Sequence, residues 1–493
     1  MQDATVARRR VLSRGPVIVL VVLAYVGVLH YAYVNDIAPI FTYLQYGYRP
    51  PDPYYYAVAI GMVVVLALLL PRHIERPSHV IVWLLYLVAV LPGVIVPQIS
   101  PALSQDEAFR LALWVAGCFL AVVLLGTRQA LRGFIPLAQL PERRWWLLIG
   151  GLWVVLNAVV LAFAGVKLTL PSFEDVYGVR GDFRVTESLD PALAYVVPLL
   201  DKIINPLLII RGLWFRRWAW GAAGVLGQVY LYSLQGSKTA ILAPVAIVAA
   251  YFFLRRRRPA GPSVLAAAVV GAIGVLLIDW WNASNTLTSD FVRRVLVTPG
   301  IVLSGYVQVF HDMPKAKLGY SVLRTVFPYP YAKEPPDLVG AEFFNDPFTH
   351  ANGSWLADGY ANFGYPGMIA ATVVLILLLW AIDDATRGLA RGLACLIFLM
   401  PALALAESAI LTALLTHGFI AAIILCALAP REGRFAGATS VTTSAARATP
   451  TVGAGATGSP LVSMPPGQPA RPERADATAT RRSTAPAAPR TSG

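Results

Sequence analysis

Charge is scarce in this chain of 493 residues: only 14% of them are Asp, Glu, Lys or Arg. A soluble domain carries about 25%. Hydrophobic residues make up 57% of the chain, and the mean hydropathy is +0.62. That balance excludes an ordinary cytosolic enzyme. Cysteine is scarcer still. Cys118, Cys395 and Cys426 each lie in an apolar stretch, which excludes a disulfide framework or a thiolate metal site and leaves small buried hydrophobes. No repeat of fixed period is visible. This counts slightly against a transporter, because many transporter folds are built from inverted repeats. The basic N-terminus has no obvious small-residue cleavage site behind it, and more apolar runs follow. The first apolar segment therefore reads as a transmembrane helix and not as a signal peptide.

What the chain has instead is long apolar runs. A helix needs about 20 apolar residues to cross a bilayer. That rule predicts an all-α, polytopic membrane protein of about 12 spans. They lie near Pro16–Val34, Tyr54–Leu70, Val80–Val96, Ala108–Leu125, Trp145–Ala164 and Pro191–Ile210, then Trp218–Leu234, Ala240–Leu254, Val264–Trp281, Tyr365–Ile382, Leu393–Ala406 and Ile410–Leu428. The eighth and eleventh are short.

Lys plus Arg number 40 against 27 acidic residues, a net charge of +13. Short cytoplasmic loops carry the excess positive charge. Arg8, Arg9, Arg10 and Arg14 place the N-terminus in the cytoplasm, and the alternation then holds through every short loop. Arg72 and Arg76, Arg128 to Arg144, Arg211 to Arg217, the run Arg255 to Arg258, Arg387 and Arg391 all fall inside, and Pro97–Glu107, with no Lys or Arg, falls outside. The basic residues are spread between apolar runs, so nucleic acid is a poor partner and anionic lipid a good one. The membrane domain covers 1–430. Two outer loops are long, about 165–190 and 282–364. The second holds six basic and seven acidic residues between Asp290 and Asp358. Its many aromatics favour order, and Phe291–Phe310 reads as an interfacial helix. The tail, 431–493, is Ala, Thr, Pro, Gly, Ser and Arg, a composition that reads as disordered and, by the charge rule, cytoplasmic.

Four stretches carry chemistry-bearing side chains. In Lys167–Asp190, Arg180 and Arg184 are four apart and would share a helix face. There they form a fork for phosphate oxygens or pair with Asp175, Asp182 or Glu187 as a solvated cluster. The RGD triplet Arg180–Asp182 is a chance match. In Ser233–Pro244, Gly236, Ser237 and Lys238 form a tight outer turn. The glycine spacing of a P-loop is absent, so Lys238 holds an anionic head group or snorkels to the interface. Arg293 and Arg294 sit at the membrane surface, as anion contacts or as anchors, and Thr298-Pro299-Gly300 is expected to break the segment and turn the chain. In Asp346–Met368, His350, Asn352, Asp358 and Asn362 crowd the outer approach to a helix. A His or carboxylate there can take a proton from a hydroxyl, although a lone loop His is more often a surface residue. Asp201 and Lys202 fall inside a predicted span, where charge is functional by default or simply pairs.

Taken in order, YGVRGDFR, SLQGSKTAILAP, RRVLVTPG and ANGSWLADGYANFGYPGM resemble the landmarks of the bacterial O-antigen polymerases, the Wzy-type oligosaccharide repeat-unit polymerases. The resemblance covers roughly Trp145–Leu428. The last motif, with His350 two residues before Asn352, also resembles the related O-antigen ligases, so polymerase against ligase stays open.

The resemblance implies a GT-C-like, multi-pass enzyme of the bacterial cytoplasmic (inner) membrane, with its active site on the extracytoplasmic face. A glycan on polyprenyl diphosphate, usually undecaprenyl diphosphate, would be the donor and a lipid-linked repeat unit the acceptor. It implies His350 or Asp358 as catalytic base, with His311 a rival. Arg180, Arg184, Lys238, Arg293 and Arg294 would contact diphosphate, and Asn352 and Tyr360 would contact glycan. No metal or other cofactor is implied, in keeping with the absence of an Asp-x-Asp triplet in the sequence. A chain-length regulator and a flippase are the implied protein partners. From other classes, a flippase or other transporter would keep its key charges in the spans, and a scaffold would tolerate loss of every outer arginine.

The charge alternation makes a direct prediction. A cysteine introduced at Ser172 or Asp337 should react with an impermeant thiol reagent from outside, and one in the tail only after permeabilisation. Labelling of the tail alone would overturn the orientation.

Overall fold

The computed structural model describes residues 15–167, 169–172, 175–255, 260–321 and 323–431. The four N-terminal arginines, most of the Arg255–Arg258 run and the tail beyond Arg431 lie outside the described residues. Among the described residues the chain is all helical, without strands. The helices are α1 (Gly15–Leu44), α2 (Pro53–Leu69), α3 (Pro77–Ile99), α4 (Gln105–Gly126), α5 (Glu142–Ala164), α6 (Val176–Leu189), α7 (Leu193–Trp214), α8 (Trp218–Gln235), α9 (Lys238–Arg255) and α10 (Ala260–Trp281). A π-helical stretch, Thr288–Val297, then leads into α11 (Thr298–Asp312). It is followed by α12 (Pro335–Glu342), α13 (Trp355–Ala385), α14 (Arg391–Leu405) and α15 (Ile410–Leu428).

Each of the twelve sequence-derived spans falls on one of these helices. Nine among the described residues are long and apolar enough to cross a bilayer: α1, α3, α4, α5, α7, α9, α10, α13 and α15. Helices α2 and α14 are apolar but shorter, and α8 is diluted by Gln228, Gln235 and three glycines. The protein is a polytopic, membrane-embedded helical bundle.

Local chemistry sets the helix starts. Asp52 accepts hydrogen bonds from the Tyr54 and Tyr55 amides with Pro53 in the first turn of α2. Ser104 and Glu107 form a reciprocal capping box on α4, satisfying amides that the helix itself cannot. Helix α3 is the hub, with 94% of its most apolar window buried, and α5 is peripheral, with 11%.

Two sequence expectations change here. The 282–364 segment is not a surface loop throughout. Thr288–Asp312 is continuously helical and packs against α3 and α13, burying Val292, Leu296, Ile301, Leu303, Tyr306 and Phe310. Thr298-Pro299-Gly300 does not turn the chain either. Pro299 sits at the junction between the π-helical stretch and α11, and Gly300 sits against the Pro92 carbonyl of α3.

Loops assigned by charge to the same side are bonded to one another. At the basic end, the Gly133 and Ile135 amides donate to Asp384, the Leu140 amide donates to the Leu428 carbonyl, and Arg431 donates to the Ala385 carbonyl. At the opposite end, the Arg49 amide donates to the Ile99 carbonyl, Tyr46 bonds Thr298, and Lys238 pairs with Asp290 at 2.8 Å. The 165–190 stretch is largely the helix α6, tied to that same end by Arg180 donating to the Gly236 carbonyl at 3.1 Å.

Helices α7 and α8 form the tightest pair. A Cβ on Gly227 would lie 2.4 Å from Asn205 Oδ1, and one on Gly224 2.6 Å from the Asn205 carbonyl oxygen. Small residues let membrane helices approach to backbone contact. Gly224→Val or Gly227→Val should therefore cost about 1–3 kcal/mol or more by overpacking. Gly271→Ala on α10, where a Cβ meets open space, should be neutral. Thermal unfolding in detergent checks the contrast, and equal melting temperatures for all three would contradict the packing.

Candidate functional site

At the end opposite the basic loops a cavity of about 610 Å³ opens between the 320–353 segment, the start of α13 and the start of α15, with Tyr195 of α7 on its rim. It is within the size range of small-molecule sites. Three of the residues singled out from sequence meet there: His350, Asn352 and Asp358.

The backbone explains how they meet. Helix α13 is broken at Phe363 and Gly364, where Gly364 has φ +66° and ψ −150°. Only glycine adopts that region without strain. The break folds the short first arm, Trp355–Asn362, against the second. A Cβ on Gly367 would fall 1.9 Å from the Gly359 carbonyl oxygen, so the spacing of glycines in DGYANFGYPG is a packing requirement. The fold-back holds Asp358, 7% exposed, and Asn362, 1% exposed, inside the protein.

Asp358 is held from two sides. Its Oδ1 accepts from the Tyr320 hydroxyl and from Asn362 Nδ2 at 3.2 Å. Asn362 Oδ1 in turn accepts from the Leu318 amide at 2.6 Å, fastening the 313–327 segment to α13. Burial, then the charge of Asp358, push the Tyr320 phenol well above its ordinary range, so it stays a donor. Tyr306 of α11 crosses beneath and donates to the Ala351 carbonyl at 3.1 Å.

His350 is not a lone surface histidine. Its Nδ1 lies 2.6 Å from Asp337 Oδ1 at the start of α12. Tyr306, Tyr320, Arg324 and Glu334 also line the cavity. Neither they nor Asp337 was singled out from sequence. The one available signal was the density of charge and aromatics in PYPYAKEPPD, which marks a structured segment without saying what it faces. Tyr360 is buried outside the lining, with Lys315 Nζ 4.7 Å above its ring. His311 is exposed and bonds Asp312 on α11.

None of the lysines and arginines named from sequence lines the cavity. Arg180 and Arg184 do share a helix, α6, with Arg184 exposed. Lys238 is in its ion pair with Asp290. Arg293 is buried, its guanidinium 4.2 Å from the Phe41 ring and 3.0 Å from Ser289 Oγ. Arg294 and Lys202 both act on Glu407, and Lys202 also pairs with Asp201. Glu407 is exposed; desolvation by the surrounding protein raises its carboxyl while the two cations oppose the rise. Ser408, the next residue, lines the cavity, so the cationic group and the cavity meet at Glu407–Ser408. Among the described residues no cluster of His, Cys, Asp and Glu is arranged to hold a metal ion.

Removing one partner from a buried charged hydrogen bond costs about 1–3 kcal/mol. Tyr320→Phe should lower the unfolding free energy by that amount, and Asn362→Ala by at least as much. A denaturation series showing no change for both would mean that the Asp358 network does not hold the segment to α13. No family model matches the chain, and neither does any curated protein or solved structure.

Proposed function

We propose that this protein polymerises lipid-linked oligosaccharide repeat units in the bacterial cytoplasmic membrane, with its cavity on the extracytoplasmic face. The observation that carries the reading is the cavity itself. It unites a histidine whose Nδ1 is already engaged, a buried carboxylate, an asparagine and an arginine, next to Glu407 and the cations Arg294 and Lys202 that act on it, in a polytopic membrane bundle.

The reaction asks for those parts. An acceptor hydroxyl attacks the anomeric carbon of the donor glycan. The new glycosidic bond forms as the bond to diphosphate breaks, and the diphosphate leaves with the electron pair. The hydroxyl proton passes to a base. His350, with Nδ1 bound to Asp337, offers Nε2 for that proton, and Asp358 is the carboxylate alternative. Positive charge placed where the diphosphate develops its charge lowers the barrier. Arg294, Arg180, Arg184, Lys238 and the Arg293 that stiffens its segment serve this role, and Arg324 adds a cation on the cavity wall. Asn352 remains the candidate glycan contact, whereas Tyr360, buried behind the lining, does not reach the cavity.

The test is reconstitution of the purified protein with lipid-linked repeat units. A ladder of lengthening glycans supports polymerisation, transfer to an unrelated acceptor would make it a ligase, and movement of substrate without a new bond would make it a flippase. His350→Ala should reduce extension by about 10²–10⁴-fold. Arg180→Ala, Arg184→Ala, Arg293→Ala and Arg294→Ala, at equal expression, should each lose about 1.5–3 kcal/mol of a charge-assisted contact, on the order of tenfold or more in rate. Lys should rescue only partly, because it lacks the planar fork. Full polymer length from all four would exclude the diphosphate role, and near-wild-type extension by His350→Ala would exclude it as the base.

A further inference from the structure

We infer that Asp337 is a positioning residue that fixes the tautomer of His350, so that Nδ1 carries the hydrogen and Nε2 presents its lone pair to the cavity. This rests on the reading of His350 as the base. The geometry is specific to one ring nitrogen: Asp337 Oδ1 lies 2.6 Å from Nδ1, and a carboxylate can only accept.

The pair is held in place by backbone on both sides. The Ala351 amide donates to the Pro336 carbonyl at 3.0 Å, which joins the residue after His350 to the residue before Asp337. Further along, the Asp346 amide donates to the Gly340 carbonyl at 3.1 Å, and the Thr349 carbonyl packs directly on Gly340, where a Cβ would lie 1.8 Å away. Asp346 closes the turn by accepting from the Phe348 amide at 2.9 Å and the Thr349 hydroxyl at 2.6 Å. Tyr306 fixes the Ala351 carbonyl from below.

An ordinary exposed ion pair has no such frame and contributes little. Here two segments 13 residues apart are clamped by main-chain bonds that bracket the one side-chain contact, as preorganised sites require. Helix α12 begins at Pro335 and Pro336, whose fixed φ presets the first turn that carries Asp337.

The experiment separates the tautomer from the activity. Full-length protein labelled with ¹⁵N-histidine, with His350 assigned by its absence from the His350→Gln spectrum, should show Nδ1 as the protonated nitrogen and Nε2 as the bare one. Asp337→Asn replaces an acceptor-only carboxylate by an amide that also donates, so the fixed Nδ1–H preference should weaken and the Nε2–H tautomer should appear. In the glycan-extension assay Asp337→Asn should lower kcat on the order of 10²-fold or more with KM changed less than about threefold, and Asp337→Glu should restore part of kcat. A wild-type His350 protonated at Nε2, or a tautomer indifferent to Asp337→Asn, would overturn the inference whatever the protein does to glycans. If the tautomer responds as expected but wild-type protein extends no chain, the functional reading fails, and with it any catalytic role for the pair. A fall in kcat that Asp337→Glu does not restore, with the tautomer unmoved, would reduce Asp337 to a structural loop contact.

Discussion

The structure depends on one constraint: within a bilayer every backbone N–H and C=O must find its partner inside the protein. Regular helix meets it automatically, which is why helices run along almost the whole described bundle. Departures from helix are affordable only where other protein groups stand in. The break in α13 at Phe363–Gly364 shows how. Across it, Asn362 turns its amide nitrogen back to the Asp358 carbonyl and side chain and its oxygen to the Leu318 amide. The Ala316 amide reaches the Ala361 carbonyl. The 313–327 segment can leave helical geometry because α13 supplies its hydrogen bonds, and α13 can break because that segment and Tyr320 supply part of its own. The cavity exists at the place where this mutual satisfaction leaves room.

The same rule orders the charges. Asp201 and Lys202 fall within α7 and pair with each other. Asp279, at the end of α10, takes the Leu287 and Thr288 amides and the Ser284 hydroxyl, so its charge fixes the entry into the π-helical stretch. Arg293 is enclosed by aromatic faces, which suit a weakly hydrated guanidinium better than they would an ammonium. At the basic end Asp383 takes the Ser78 amide and hydroxyl, and Asp384 the Gly133 and Ile135 amides. Buried carboxylates thus tie loops to helices at both ends of the molecule, and within α7 the one carboxylate is paired with its neighbouring lysine.

Much of this was legible in the sequence because lipid makes the code simple. Apolar length marks the spans, and the density of arginine marks one end. What escaped reading was whatever depends on distant partners. Thr288–Asp312 carries two arginines, two aspartates and a Pro-Gly pair, so it reads as an interfacial helix over Phe291–Phe310 with a turn at Thr298-Pro299-Gly300. It is a buried helix because α3 and α13 flank it, and no window of its own composition says so. At α2, α8 and α14 apolar length alone does not decide a span for the same reason, since a helix short on length or hydropathy can still be buried by its neighbours.

The candidate site divides along the same line. His350, Asn352 and Asp358 could be picked out because they crowd into nine residues of one motif. Asp337 and Tyr320 could not. They lie 13 and 38 residues from the partners they bond, and they face them only because the Gly340–Thr349 contact and the Asn362 bridge close two loops. The motif holds three of the polar residues of the cavity on one short piece of chain. The groups that aim them come from wherever the fold returns, and spacing along the chain carries no trace of them. At this site the unread residues are Asp337, which bonds the imidazole, and Tyr320, which bonds the carboxylate. The distinction between a surface histidine and an oriented one was therefore never available in the motif, and it rests on a carboxylate that α12 brings to within 2.6 Å.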